Sequence, residues 1–194
     1  MRRPGLALLT SIAAVVLLAG CDPAPVSVSV DDDFFNPATA AVVRGGSVRW
    51  TNNGVQTHTT TGDAPLSLWN SGNLASGATF RVTLVAAGAY TYHCTIHSFM
   101  TGTVKVPVAV SPASGTSATT FTITVASATA PTGFEYVVQK KDPAGTFQTF
   151  KTFTSASTTF NTAAPGTYQF RASLKRTAST ASSGFSDPQS VTVS

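Results

Sequence analysis

At 194 residues the chain exceeds one typical domain and leaves little room for two large ones. Charged residues make up only 10% of it, while Thr, Ser, Ala and Val abound, a composition of strands rather than helices. The formal charge is +4 and falls to +2 once Arg2 and Arg3 are set aside; without clustered basic residues there is no case for nucleic-acid binding.

Met1-Arg2-Arg3 is a short basic head, and Leu6 to Leu18 an apolar stretch of signal-peptide length, too short for a good transmembrane helix. Leu18-Ala19-Gly20-Cys21 resembles a bacterial lipobox, cleaved before a Cys that carries lipid. Residues 1–21 therefore read as a lipoprotein signal peptide, with Cys21 the lipidation site and 22–25 a tether. Two acyl chains anchor a protein where one does not, so the expected location is the membrane, facing the periplasm or the cell exterior. An ordinary secretory signal ending at a chance Cys is the plainer alternative. The Arg pair has no further residue of a twin-arginine signal beside it.

Val26 to Val30 alternates as a first strand, and Asp31-Asp32-Asp33 reads as solvated charges closing it. Ala41 to Trp50 reads as two strand pieces joined at a Gly45-Gly46 turn, with Trp50 in the core. Asn52-Asn53-Gly54 is a turn, and Val55 to Thr61 a strand-like stretch carrying His58. Leu66 to Leu74 forms a loop-rich excursion in which Trp69 packs. Ala78 to Leu84 is a strand with Phe80, Val82 and Leu84 inward.

Tyr90 to Val106 holds the chemistry. Period-2 alternation puts Tyr90, Tyr92 and Cys94 on one strand face and Thr91 and His93 on the other. Cys94, His97 and Met100 follow at the spacing Cys-x2-His-x2-Met, and Val104 and Val106 resume the inward rhythm after Gly102. A lone Cys is most simply a buried inert thiol. If Cys21 is lipidated, however, Cys94 has no partner in an oxidising compartment, and His97 and Met100 give it one in a metal. The chain has three His, of which two flank Cys94, so His58 would complete a set of two imidazoles, one thiolate and a weak thioether, which suits copper cycling between Cu(I) and Cu(II).

Tyr-x-Tyr-x-Cys-x2-His-x2-Met-x-Gly-x-Val-x-Val resembles the C-terminal copper loop of the cupredoxins, the blue copper proteins of plastocyanin and amicyanin type, and its short loop is most similar to the amicyanin members. The resemblance spans roughly Val26 to Val108. It implies a Greek-key β-sandwich with one type 1 copper, His58, Cys94 and His97 in the ligand plane and Met100 axial. It further implies redox partners docking at the exposed edge of His97, with Ile96 and Phe99 as an apolar surround. Many members carry Asn after the first His; Thr59 stands there, which leaves open how the two ligand loops are tied. His93 does not supply a trinuclear cluster, since the chain has no His-x-His pair, and no second Cys is available for a binuclear site; strand parity turns it outward.

Beyond 108 the composition shifts to Thr, Ser and Ala. Residues 109–194 offer seven or so strands without His or Cys, an Ig-like sandwich by pattern. Tyr168-x-Phe-Arg-Ala and Gly184-x-Ser-Asp-Pro resemble fibronectin type III domains. The expected architecture is all-β: a signal peptide over 1–21, a copper-binding cupredoxin sandwich over 26–108, and an Ig-like or fibronectin type III-like sandwich over 109–194. The expected function is single-electron transfer by a membrane-anchored, non-enzymatic carrier. Copper delivery or scavenging is the alternative, although the chain lacks the Met- or His-rich exposed donors that favour release.

Overall fold

The computed structural model describes residues 23–194. The expectations for residues 1–22, Cys21 and its lipid among them, lie outside the described residues. The fold is all-β, with sixteen strands and no helix among the described residues.

The first eight strands are β1 (Val26–Val30), β2 (Phe35–Asn36), β3 (Thr39–Ala41), β4 (Ser47–Asn52), β5 (Thr61–Gly62), β6 (Thr79–Thr83), β7 (Gly88–His93) and β8 (Thr101–Val106). They form two four-stranded sheets, ordered β2-β1-β4-β6 and β3-β8-β7-β5. Alternation decides which side chains fill the space between them. Trp50 from β4 meets Tyr92 from β7 edge-on at 5.3 Å between ring centres, with Phe35 at 4.8 Å from Tyr92 and Trp69 at 5.8 Å from Trp50. Large rings packed tilted or edge-on combine much apolar burial with favourable quadrupole contacts. Burial pushes the Tyr92 phenol up to about 12. Phe80 and Val82 point inward as expected but are only half-buried, because β6 is an edge strand.

The Gly45-Gly46 turn differs from expectation. The piece after the turn forms as β4, but the piece before it does not: of Ala41 to Arg44 only Ala41 lies in a strand, at the end of β3. β3 runs parallel to β8 in one sheet while β4 pairs with β1 and β6 in the other. The turn is a crossing between sheets, not a hairpin. Gly45 takes φ +79° there, a conformation that suits glycine, and its amide donates to Leu84 O at 2.8 Å. The inward parity of Val48 and Trp50 is the same for either connection, which is why alternation alone did not distinguish them.

The remaining strands are β9 (Ala109–Ser111), β10 (Ser114–Gly115), β11 (Phe121–Thr124), β12 (Phe134–Lys141), β13 (Phe147–Phe153), β14 (Ser157–Phe160), β15 (Gly166–Arg176) and β16 (Gln189–Val193). They make a five-stranded sheet, β10-β16-β15-β12-β13, and a three-stranded one, β14-β11-β9, around Phe121, Ile123, Tyr136, Phe160, Phe170 and Val191. The two sets of sheets are joined by backbone bonds. Ala89 and Gly184 exchange two N–H···O bonds at 2.9 Å each, and Ala87 donates to Val125 O at 2.7 Å. Gly88 has no room for a side chain, because Ser183 and Gly184 lie directly against it.

Gly102 faces Tyr92 across the β7–β8 ladder, and a Cβ at 102 would run into the Tyr92 ring. Gly102→Ala is therefore expected to overpack this core and cost about 1–3 kcal/mol. Thermal denaturation of the metal-free protein checks it; a midpoint equal to the parent's would show that the ring yields.

Candidate metal centre

β7 delivers Cys94 to the end of the sandwich. Along it Tyr90, Tyr92 and Cys94 are buried, Thr91 is exposed, and His93 is half-buried, as period 2 requires. Beyond Cys94 the chain turns tightly and returns. Met100 N–H donates to His97 O at 2.9 Å, and Cys94 N–H donates to Met100 O at 3.1 Å, closing the seven-residue loop 94–100 before β8 begins. The closure carries the His97 imidazole back towards the thiol.

His58 arrives from a separate stretch. Its backbone exchanges bonds with Leu74, His58 N–H to Leu74 O at 3.1 Å and Leu74 N–H to His58 O at 2.7 Å. The loop-rich excursion therefore serves as the backing of the His58 segment. Trp69 reinforces it, donating its indole N–H to Thr60 Oγ1 at 3.0 Å. The segment forms a two-residue strand, β5, rather than the longer one expected, since the bridge at His58 is isolated from it.

The three donors converge. Cys94 Sγ lies 3.9 Å from Nδ1 of His58 and 3.9 Å from Nδ1 of His97, and the two Nδ1 atoms are 3.2 Å apart. His58 and Cys94 are wholly buried, and His97 is partly exposed. The point equidistant from the three atoms lies ~2.1 Å from each, close to the length of a metal–imidazole bond. Two imidazoles and a thiol with no disulfide partner among the described residues form a donor set for a soft or borderline ion. The geometry and the chemistry of these residues fit copper. Met100 ends the same loop with its side chain buried, 1% exposed.

Thr59 ties the loops together in place of the Asn of many cupredoxins. Its amide points at Cys94 Sγ across 3.3 Å, and its Oγ1 accepts the Thr95 amide at 2.8 Å and meets Thr95 Oγ1 at 3.0 Å. One residue thus reaches both the sulfur, through its backbone N–H, and the residue after it, through its hydroxyl.

Asp32 is the residue that sequence reasoning missed. Its Oδ1 accepts the amides of Val55 at 2.8 Å and Gln56 at 2.9 Å and stands 3.6 Å from His58 Nε2. The Gln56 amide holds the carboxyl below the usual Asp range, opposed by desolvation and helped by His58 and Val55. Three consecutive aspartates closing a strand carry no mark that separates the middle one from its neighbours. His93 turns away from the thiol as expected, and its Nδ1 pairs with Asp63 Oδ1 at 2.5 Å at the surface.

Thr59→Val keeps the backbone N–H towards sulfur but removes both Oγ1 bonds, leaving the Thr95 amide without its partner. Chemical denaturation of the metal-free protein is expected to show a loss of about 1–3 kcal/mol; parent stability would mean that the loops are tied by other contacts.

The first half of the chain is similar to known proteins. A family model described as Cupredoxin-like domain matches residues 6–106. No curated protein matches the chain. Among solved structures, a purple cupredoxin from Nitrosopumilus maritimus is 24% identical over 42% of this chain and 98% of its own, with a TM-score of 0.40. An oxidised mutant of amicyanin is 25% identical over 42% of this chain and 81% of its own, with a TM-score of 0.41. A copper-containing nitrite reductase from Thermus scotoductus SA-01 is 25% identical over 44% of this chain but only 23% of its own, with a TM-score of 0.42. With its sandwich and its family match over residues 6–106, the chain belongs to the cupredoxin-like domain family.

Proposed function

We propose that the chain is a membrane-anchored blue copper protein that carries single electrons between redox partners. The observation that carries this reading is the closed triangle of His58 Nδ1, Cys94 Sγ and His97 Nδ1 around a point at metal-bonding distance. In this reading residues 26–108 form the copper-binding unit, with Met100 as the weak axial ligand. Residues 109–194 form an Ig-like or fibronectin type III-like sandwich beside it. Lipid on Cys21 holds the protein at the membrane, facing the periplasm or the cell exterior.

Copper, when bound, supplies a one-electron Cu(I)/Cu(II) couple whose potential depends on the axial ligand and on hydrogen bonding around the sulfur. The residues do the rest. Cys94 offers a thiolate, with the Thr59 amide aimed at its sulfur. The bonds from Thr59 to Thr95 and from His58 to Leu74 hold the two ligand segments in one arrangement, so little must rearrange when charge changes. Burial of His58, Cys94 and Met100 keeps water from the donors. His97 alone reaches the surface, flanked by exposed Ile96 (47%) and Phe99 (66%), an apolar rim against which a redox partner docks. Buried donors retain an ion rather than pass it on, which favours the carrier over copper delivery.

Copper loading of the purified full chain tests the proposal. It is expected to produce an intense visible absorption that Cys94→Ser abolishes, and its absence from the parent chain would sink the copper reading. Met100→Gln is expected to lower the reduction potential with copper retained; complete loss of copper would count against an axial role.

A further inference from the structure

Asp32 belongs to the turn after β1, 26 positions before His58 and outside the motif around Cys94. Its carboxylate folds back over the 53–56 loop, where one oxygen, Oδ1, takes the amides of Val55 and Gln56 and also faces Nε2 of His58. That ring nitrogen is wholly buried and has no hydrogen-bond partner; at 3.6 Å the carboxylate lies just beyond bonding reach. A buried ring nitrogen beside a carboxylate is favourable when it carries a proton and unfavourable when it presents a lone pair.

The other side of the ring makes the same demand. His58 Nδ1 and His97 Nδ1 lie 3.2 Å apart, so in the metal-free protein one must donate to the other. With the His58 proton on Nε2, His97 donates from its Nδ1, and both ends of the His58 ring are satisfied in sign. Gly54 leaves the room that the carboxylate occupies: a Cβ there would run into Asp32 Oδ1 and displace it.

We propose that Asp32 is the positioning residue of His58, holding its imidazole with the proton on Nε2 so that Nδ1 faces Cys94 Sγ as a free donor, and strengthening that donor through its charge. Carboxylates behind ligating imidazoles act in this way generally. The part concerning copper rests on the reading under Proposed function; the tautomer does not.

Two measurements decide it. Long-range nitrogen–proton NMR of the metal-free full chain, with its imidazoles neutral, is expected to place the proton on Nε2 of His58 and on Nδ1 of His97. A proton on Nδ1 of His58 overturns the proposal without need of any variant. In the copper-loaded chain, Asp32→Asn keeps an oxygen for the Val55 and Gln56 amides and removes only the charge. It is expected to weaken copper(II) binding ~10-fold and raise the reduction potential, with the parent's circular dichroism. Gly54→Ala keeps the charge but pushes it aside, and both quantities are expected to move in the same direction. Parent affinity and potential in Asp32→Asn overturn the proposal, because a purely structural cap on the 53–56 loop would survive that change. A parent chain that takes up no copper would sink the copper reading instead and leave the NMR result to decide this one.

Discussion

The Thr59 amide, aimed at the sulfur of Cys94 across 3.3 Å, is the contact on which the centre depends. It joins two segments that share no sequence: the stretch carrying His58, backed by Leu74, and the loop between β7 and β8. Neither has much regular structure near the donors. Their mutual order comes from a few directed bonds, and the Oγ1 of the same threonine supplies two more to Thr95. Buried polar groups that satisfy one another specify a single arrangement, because every alternative leaves some of them unpaired.

What a reader of the sequence can see depends on whether the relevant pattern is local. The β7–β8 unit was legible because alternation is read within one strand: Tyr90, Tyr92 and Cys94 inward, Thr91 outward. His58 was legible through scarcity, as the one imidazole not beside Cys94. Trp50 and Trp69 were legible as core, though not as neighbours. The Gly45-Gly46 crossing was not, since parity is blind to which sheet the next strand joins. Asp32 was hidden for a related reason. Its importance arises only when the turn after β1 is laid against the loop before His58, and nothing in Asp31-Asp32-Asp33 distinguishes a carboxylate bound by two amides from one in water. The tie made by Thr59 lies between these cases: the position departs from the family pattern within the sequence, but its bonds arise only where the two ligand segments meet.

The second set of sheets meets the first through the strand that matters most. β7 pairs with β8 along its whole length and with β5 at its end, and near its start Ala89 exchanges bonds with Gly184, while Gly88 packs without space for a side chain. The Lys105–Asp187 pair at 3.0 Å adds an exposed ionic contact of small worth. The cysteine strand is therefore braced at one end by the C-terminal half and at the other by the ligand loops.

β1 has a direction, and that direction sets a polarity for the molecule. The strand climbs from Val26 to Val30, about 13 Å at the rise of an extended chain, and the next turn places Asp32 beside His58. Val26 thus lies at the pole opposite the imidazole of His97. The half-open face of that ring therefore looks away from the start of β1, and a molecule that seats on it approaches from the far side of the sandwich.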